Sequence, residues 1–356
     1  DCWVEDSRLV ALNARDAAER GASILTRTKL VSARPENGIW RAELVDDGSG
    51  HQRTIRARMV VNAGGPWVGD ILRQRIGSNT SDDVRLVRGS HIVTRRLFDH
   101  DKCYFFQGSD GRIMFAIPYE TDFTLIGTTD QEHHDLSQKP VCTPEEQHYM
   151  VDGVNAYLKT PISEDDIVWT YSGVRPLYDD GALSATAATR DYTIKLDKSA
   201  GAPALNIFGG KITTYRKLAE SALAIIGERL GADSGPWTAG VAMPGGDFAV
   251  GDVGKLVTEL RRDYDFLTGR WALRLIRAYG TDARRWLGTA KSAQDLGQDF
   301  GATLTAAEVD WLMEREFAET AEDILWRRSK LGLHKPDAAA LDAYMTQRRS
   351  SIKDTA

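Results

Sequence analysis

Hydrophobic and polar positions alternate along the chain with two different periods. In residues 5–20, Leu9, Leu12 and Ala17 line one side at helical spacing, and Gly21 stands where a helix stops. Ser23-Ile24-Leu25 and Lys29-Leu30-Val31 read as short strand pieces. Across residues 39–45, Trp40, Ala42 and Leu44 alternate with Ile39, Arg41, Glu43 and Val45, the period of a half-buried strand. A turn cluster at 46–50 and a second strand at 54–61 predict a hairpin. That strand runs into Asn62-Ala63-Gly64-Gly65-Pro66-Trp67, and 67–76 reads as a helix. A strand ending in small residues and glycines is how an α/β sheet presents its carboxyl edge to a nucleotide.

The middle of the chain is strand-rich. Strands are predicted at 84–95, 103–107, 112–119, 122–128, 166–174 and 190–196, with a tight turn at Glu120-Thr121. Thr143-Pro144-Glu145-Glu146 is a helix start, and that helix should run to about Leu158. Beyond Met243-Pro244-Gly245-Gly246-Asp247 the period becomes helical throughout, at 253–262, 271–279, 306–317, 321–331 and 336–349. The pattern therefore predicts an α+β chain in two parts. Residues 1–233 form the first, with a mostly antiparallel sheet inserted at about 80–200, and residues 247–356 form a separate all-helical domain. No internal repeat or low-complexity tract interrupts it.

Composition narrows this only a little. The chain of 356 residues is long for a single core. Its 45 basic and 51 acidic side chains give a net charge of −6, which argues against a nucleic-acid scaffold. Cys2, Cys103 and Cys142 are odd in number and widely spaced, so they suggest neither a disulfide framework nor a metal site, and a reducing compartment is the simpler reading. His133-His134 lacks a metal-binding arrangement and reads as a solvated turn. No apolar run is long enough to span a bilayer. Residues 270–286 carry arginines and two tryptophans, which reads first as a helix face over a core and secondly as a membrane or partner surface.

The chemistry concentrates at Phe208-Gly209-Gly210-Lys211-Ile212-Thr213-Thr214-Tyr215-Arg216. An apolar run, 204–208, precedes these glycines, and Leu218, Ala222, Leu223, Ile226 and Leu230 follow on one helical face up to Gly231. Paired glycines let backbone approach a ligand, and a helix start offers unpaired N–H groups and partial positive charge. That suits a phosphate or a reduced flavin ring; a tight turn with ordinary threonine caps is the plain alternative. The spacing is not that of a P-loop, and neither G-x-S-x-G nor G-x-G-x-x-G occurs. The remaining polar candidates are His91, Arg175, Arg190, Lys211, Thr213 and Thr214. Arg175 follows the lead-in Tyr171-Ser172-Gly173-Val174 and precedes Pro176, so it should end a strand and need an anion. Convergence of Arg175, Arg190 and Lys211 at one sheet edge would make a phosphate or carboxylate site.

Several motifs occur together and in order: 60–67, Arg88-Gly89-Ser90-His91, Ile126-Gly127-Thr128-Thr129-Asp130, 169–177, Thr189-Arg190-Asp191-Tyr192, 208–219 and 324–330. The set resembles the FAD-dependent, respiratory sn-glycerol-3-phosphate dehydrogenases over nearly the whole chain. That resemblance implies a partial Rossmann-like, amino-acid-oxidase-like FAD domain with an inserted antiparallel substrate sheet, and a helical C-terminal domain. It implies FAD as cofactor, lying along Ala63, Gly64, Gly65 and Trp67 and at Gly210, Lys211, Thr213 and Thr214. It implies Arg175, Arg190 and Lys211 as substrate-binding residues, and His91, Arg175 and Lys211 as the catalytic set, with His91 the base or a positioning group. Expected partners are sn-glycerol 3-phosphate, a quinone and a membrane surface, and a homodimer is compatible with the resemblance. The expected place is cytoplasmic, peripheral to the cytoplasmic membrane. The family opens with G-x-G-x-x-G, which this sequence does not contain, so residues 1–356 alone are expected to bind FAD weakly. Alternatives are an oxidase using oxygen, an amine oxidase, which the cations disfavour, and a catalytically silent chain that binds partners through its helical domain.

Overall fold

The computed structural model describes residues 4–79, 81–179, 191–197, 201–232 and 235–353. It divides into two compact units, Arg27–Thr238 and a second made of Asp1–Thr26 with Ala239–Ala356. In chain order the first elements are α1 (Asp6–Glu19), β1 (Thr28–Glu36), β2 (Ile39–Asp46), β3 (Gln52–Ala57), β4 (Val60–Asn62) and α2 (Val68–Asp70). There follow β5 (Val84–Arg95), β6 (Tyr104–Gln107), β7 (Ile113–Tyr119), β8 (Phe123–Gly127), β9 (Gln131–Glu132), α3 (Pro144–Asn155) and β10 (Ile167–Tyr178). Then come β11 (Thr193–Asp197), β12 (Ala204–Phe208) and α4 (Tyr215–Leu230). The helices of the last third are α5 (Val253–Asp263), α6 (Gly269–Tyr279), α7 (Ala283–Leu287), α8 (Ala306–Glu316) and α9 (Ala338–Lys353).

The first unit holds three sheets. Strands β1, β2 and β3 form an antiparallel meander whose inner face buries Trp40, Ala42 and Ala33. Trp40 is fully buried and donates its indole N–H to the Pro203 carbonyl at 2.7 Å, so its polar end is satisfied. The strand predicted at 54–61 is two strands, β3 and β4. The first half pairs with β2, while the second pairs in parallel with β12 in a different sheet, order β11-β12-β4. Residues 23–25 form no strand.

The third sheet runs β10-β5-β8-β7-β6 and is antiparallel, with β9 also on β5. Its alternation decides which side chains face α3. Ile92, Met114, Ala116 and Ile126 pack against Met150, Val151 and Val154 of that helix. Helix α3 starts with a complete capping box, in which the Thr143 hydroxyl accepts from the Glu146 N–H and the Glu146 carboxylate accepts from the Thr143 N–H. His91, Gly127, Tyr171 and Gly173 lie on the opposite face.

The second unit is helical, as expected for residues 247–356, and it also includes α1. Buried charges anchor α1 there. The Arg8 guanidinium binds both carboxylate oxygens of Glu316, and Arg15 Nη2 lies 2.7 Å from Asp282 Oδ2. Trp271 is 9% exposed and Trp286 packs against the same core. The stretch 270–286 therefore packs its aromatic residues on the core, Trp271 buried and Trp286 half-buried, and Arg274 forms an internal ion pair with Glu308. Its apolar side thus packs on the core, in keeping with the first reading of 270–286 as a helix face over a core. No helix among the described residues is long and apolar enough to cross a membrane.

Candidate functional site

The site begins at the glycine turn after β4. Asn62, 3% exposed, holds it: its amide donates to the Val68 carbonyl at 3.0 Å and to Asn206 Oδ1 at 3.1 Å, while its own Oδ1 accepts from the Gly64 N–H. Asn206 is the register partner of Asn62 on β12, so the two asparagines tie neighbouring strand ends together. Gly64 leaves room for Ile71, whose Cδ1 would lie 2.4 Å from a Cβ added there. Gly65 has φ +54°, and Trp67, 51% exposed, follows it.

The second turn follows β12. Gly209 and Gly210 have φ +69° and +106°, Lys211 is exposed, and residues Ile212–Thr214 form a short 3₁₀ turn that feeds α4. The Thr214 hydroxyl donates to the Lys211 carbonyl at 3.1 Å. Helix α4 ends at Gly231, φ +70°, as its sequence predicts. Both turns abut the end of β10: an added Cβ at Gly65 would be 4.0 Å from Pro176 Cγ, and one at Gly209 would be 3.6 Å from the Pro176 carbonyl. The exposed apolar residues Trp67 and Ile212, set beside backbone N–H groups, fit a flat ring system with polar edges. The residues present thus fit the flavin end of FAD.

Arg175 does not end its strand. Strand β10 continues through Pro176 to Tyr178, with Arg175 opposite Val87. Proline is accommodated because β10 is an edge strand, where a missing N–H is tolerated. The guanidinium lies flat over Gly89, where a Cβ would be 2.3 Å from Nη2. Nη1 donates to Asp130 Oδ1 at 2.7 Å and to the Thr129 carbonyl at 3.4 Å, and Nη2 donates to Thr128 Oγ1 at 3.0 Å. These bonds use three of five guanidinium donors. The side chain remains 35% exposed.

His91 stands two residues further along β5, on the same face. Its ring stacks on Tyr171 at 4.8 Å and 5° and occupies the space above Gly127, where a Cβ would be 2.2 Å from Cδ2. Between His91 and Arg175 lie Gly89 and its register partner Gly173, and the space above Gly173 is open to 4 Å. The result is a glycine-floored recess with an imidazole at one side and a guanidinium at the other. An oxyanion and a neighbouring hydroxyl can both be held there.

Arg190 lies outside the described residues. Lys211 is brought to the turn beside Pro176. Glycines 89, 127 and 173, with Thr128 and Asp130, are the residues that the reading of single cations missed. The signal was present as glycines inside strand patterns, which mark close approach by another group.

On the other face of the sheet, Arg88 Nη2 lies 3.1 Å from Glu146 Oε2, and Thr129 Oγ1 donates to Glu146 Oε1 at 2.8 Å. Burial pushes the Glu146 carboxyl up, but the Thr143 N–H, the Thr129 hydroxyl and Arg88 outweigh it and hold it below the usual glutamate range. Burial pushes the Cys142 thiol up to about 11, so it is inert as a nucleophile.

The description "FAD dependent oxidoreductase" matches residues 1–216, and "C-terminal domain of alpha-glycerophosphate oxidase" matches residues 237–345. The D-erythritol 1-phosphate dehydrogenase of Brucella abortus is 43% identical over 95% of this chain and 67% of its own length. The glycerol-3-phosphate dehydrogenase of Pseudomonas aeruginosa is 45% identical over 94% of this chain and 65% of its own. Among solved structures, the FAD complex of glycerol-3-phosphate dehydrogenase from Bacillus halodurans aligns with TM-score 0.80 and 27% identity, over 93% of this chain and 65% of that one. The chain thus spans about two thirds of the length of these relatives. With both halves matched and the fold shared, the chain belongs to the FAD-dependent oxidoreductases, among their glycerol-3-phosphate dehydrogenase-like members.

Proposed function

We propose that this chain carries the substrate sheet, the flavin-facing turns and the helical domain of an enzyme that oxidises sn-glycerol 3-phosphate to dihydroxyacetone phosphate. The observation that carries the reading is the glycine-floored recess between His91 and the partly committed guanidinium of Arg175. Oxidation of a secondary alcohol removes its hydroxyl proton and the hydrogen of the same carbon with its electron pair. FAD, when bound, accepts that pair. Gly64, Gly65 and Trp67, with Ala63 before them, and Gly210, Lys211, Thr213 and Thr214 are the residues that would hold it.

Among the described residues Arg175 has two donors left, a fork suited to a phosphate or to the oxygen at the reacting carbon. A cation at that oxygen lowers the alcohol pKa, and His91 is placed to take the proton. Lys211 adds a second charge at the turn. The acceptor that fits the family resemblance is a quinone, which is lipid-soluble. Peripheral association with the cytoplasmic face of the membrane follows from that choice, and a homodimer is compatible with it. Hydrogen peroxide formation during turnover would instead identify oxygen as acceptor.

A second substrate, D-erythritol 1-phosphate, is favoured by the 43% identity to the Brucella abortus enzyme. The kcat/KM of FAD-loaded enzyme for the two polyol phosphates ranks them directly. Arg175→Ala tests the site itself. Removing one partner of a charge-assisted pair costs about 2–5 kcal/mol, and partial exposure places this case at about 2–3. The expected loss in kcat/KM is about thirtyfold to 150-fold, with a near-normal melting temperature. Arg175→Lys should recover part of the loss if charge alone matters and little if the planar fork matters. Normal kcat/KM in Arg175→Ala removes Arg175 from the substrate site.

A further inference from the structure

Thr128, Thr129 and Asp130 form the gap between β8 and β9, where the ladder on β5 is interrupted before it resumes at Gln131. Yet three acceptors from this short segment hold Arg175: Thr128 Oγ1, the Thr129 carbonyl and Asp130 Oδ1. Something must fix the segment itself. The backbone contact from Thr129 N–H to the Ser90 carbonyl is long, at 3.4 Å. The strong ties run through the Thr129 side chain, which points the other way, toward α3. Its hydroxyl accepts from the Ser90 N–H at 3.0 Å and donates to Glu146 Oε1 at 2.8 Å.

Thr129 is 1% exposed and Glu146 5%, so both bonds are shielded from water. A cavity of about 270 Å³, lined in part by Arg88, Thr129, Glu146 and Tyr149, lies directly beside the pair. Glu146 is itself immobilised, because its other oxygen caps α3 and meets Arg88.

We propose that Glu146, acting through Thr129, is a positioning residue for Arg175: the start of α3 holds the 128–130 segment so that its three acceptors aim the guanidinium at the substrate. This rests on the reading of Arg175 as the substrate arginine. Helix α3 is on the opposite face of the sheet from the recess, so Glu146 touches neither substrate nor cofactor.

A double-mutant cycle in the FAD-loaded holoenzyme tests it. Thr129→Val removes both side-chain bonds and keeps the shape. It should lower kcat/KM for glycerol 3-phosphate about tenfold, mainly by raising KM, while Thr129→Ser stays within about twofold. Glu146→Gln, which can accept only one of its two hydrogen bonds, should fall between them and serves if Thr129→Val does not fold. Calorimetric titration with inorganic phosphate should weaken by a similar factor without any turnover. Placed on Arg175→Ala, each change should cost less than about twofold more, because there is no guanidinium left to aim. Equal losses with and without Arg175 would overturn the positioning role and leave the Arg175 reading intact. A normal kcat/KM in Arg175→Ala alone would instead overturn the reading on which it stands.

Discussion

Arg274 of the helical unit and Arg175 of the sheet unit each meet a carboxylate, at 2.6 and 2.7 Å, but the two guanidinium groups are used differently. Arg274 spends both terminal nitrogens on Glu308 and adds the Thr303 hydroxyl and carbonyl, with its side chain 17% exposed and Glu308 at 0%. Arg8 is also buried against Glu316 and the Ala278 carbonyl, with its side chain 8% exposed, although its Nε finds no partner among the described residues. These are cations consumed by the fold. Among the described residues Arg175 has donors left over, it has twice the exposure of Arg274, and the space above Gly173 beside it is open. The contrast teaches how to tell a structural arginine from a site arginine. A buried ion pair is evidence about folding, while a guanidinium held on one edge and open on another is evidence about binding.

The comparison breaks most visibly by deleting a carboxylate on the structural side. Glu308→Ala leaves Arg274 without its partner in a dry interior and takes the acceptor of the Tyr279 hydroxyl as well. Burial, and then the Glu308 charge, push the Tyr279 phenol well above its ordinary range, so it stays neutral and cannot compensate. Breaking such a pair costs about 3–5 kcal/mol. At about 2–4 °C per kcal/mol, the melting temperature should fall by roughly 6–20 °C. The kcat/KM of the remaining folded fraction should be unchanged. Lost turnover with unchanged melting would put Glu308 among the functional groups instead.

The opposite result is expected at Gly89. An alanine there would place its Cβ 2.3 Å from Arg175 Nη2, and the clash is with the far end of a flexible side chain. The strand backbone need not move, so stability should change by less than about 0.5 kcal/mol. The guanidinium must leave its place between Thr128 and Asp130. Holding it off its preferred rotamer costs about 0.5–1.5 kcal/mol, which is about twofold to tenfold in kcat/KM. Steady-state kinetics beside a thermal melt decide it. A large melting shift with intact kinetics would make Gly89 an ordinary core glycine.

The sequence made half of this contrast legible. The period of 84–95, the helix start at Thr143 and the glycine stop at Gly231 are local signals, and the structure has each at the place its local pattern predicts. The glycine turns at 64–65 and 209–210 were visible for the same reason. What was hidden depends on pairing between distant segments. Residues 54–61 read as one strand because nothing local shows that its halves join different sheets. Locally Arg175 reads as a strand end because Pro176 is a breaker signal, and only an edge position in the sheet cancels it. The helix α1 gives no hint that Arg8 and Arg15 answer Glu316 and Asp282, far away in sequence. Glu146 reads only as an acid at a helix start, since its contact with Thr129 depends on pairing between distant segments.

The smallest effect sharpens the contrast at the surface, where charges are neither consumed nor poised. On α3, His148 Nδ1 lies 2.7 Å from Glu164 Oε1, and Nε2 lies 3.2 Å from Asp152 Oδ2. The hydrogen bond to Glu164, then the Asp152 charge, raise the imidazole above its ordinary value, while the same contact lowers Glu164. A raised folded-state value means the protonated ring is the favoured partner. Its stabilisation is fully present below the unfolded histidine value of about 6.5 and is lost as pH rises through the folded value. The Glu164 side closes the window from below, since its contribution disappears as pH falls through its lowered value. Both groups are exposed, so water and salt screen the pair. His148→Gln should therefore lower the melting temperature slightly at about pH 5.5 and not at about pH 8.5, and added salt should shrink the difference. An equal shift at both pH values would mean that the ring contributes packing, and that no charge at this surface is in use.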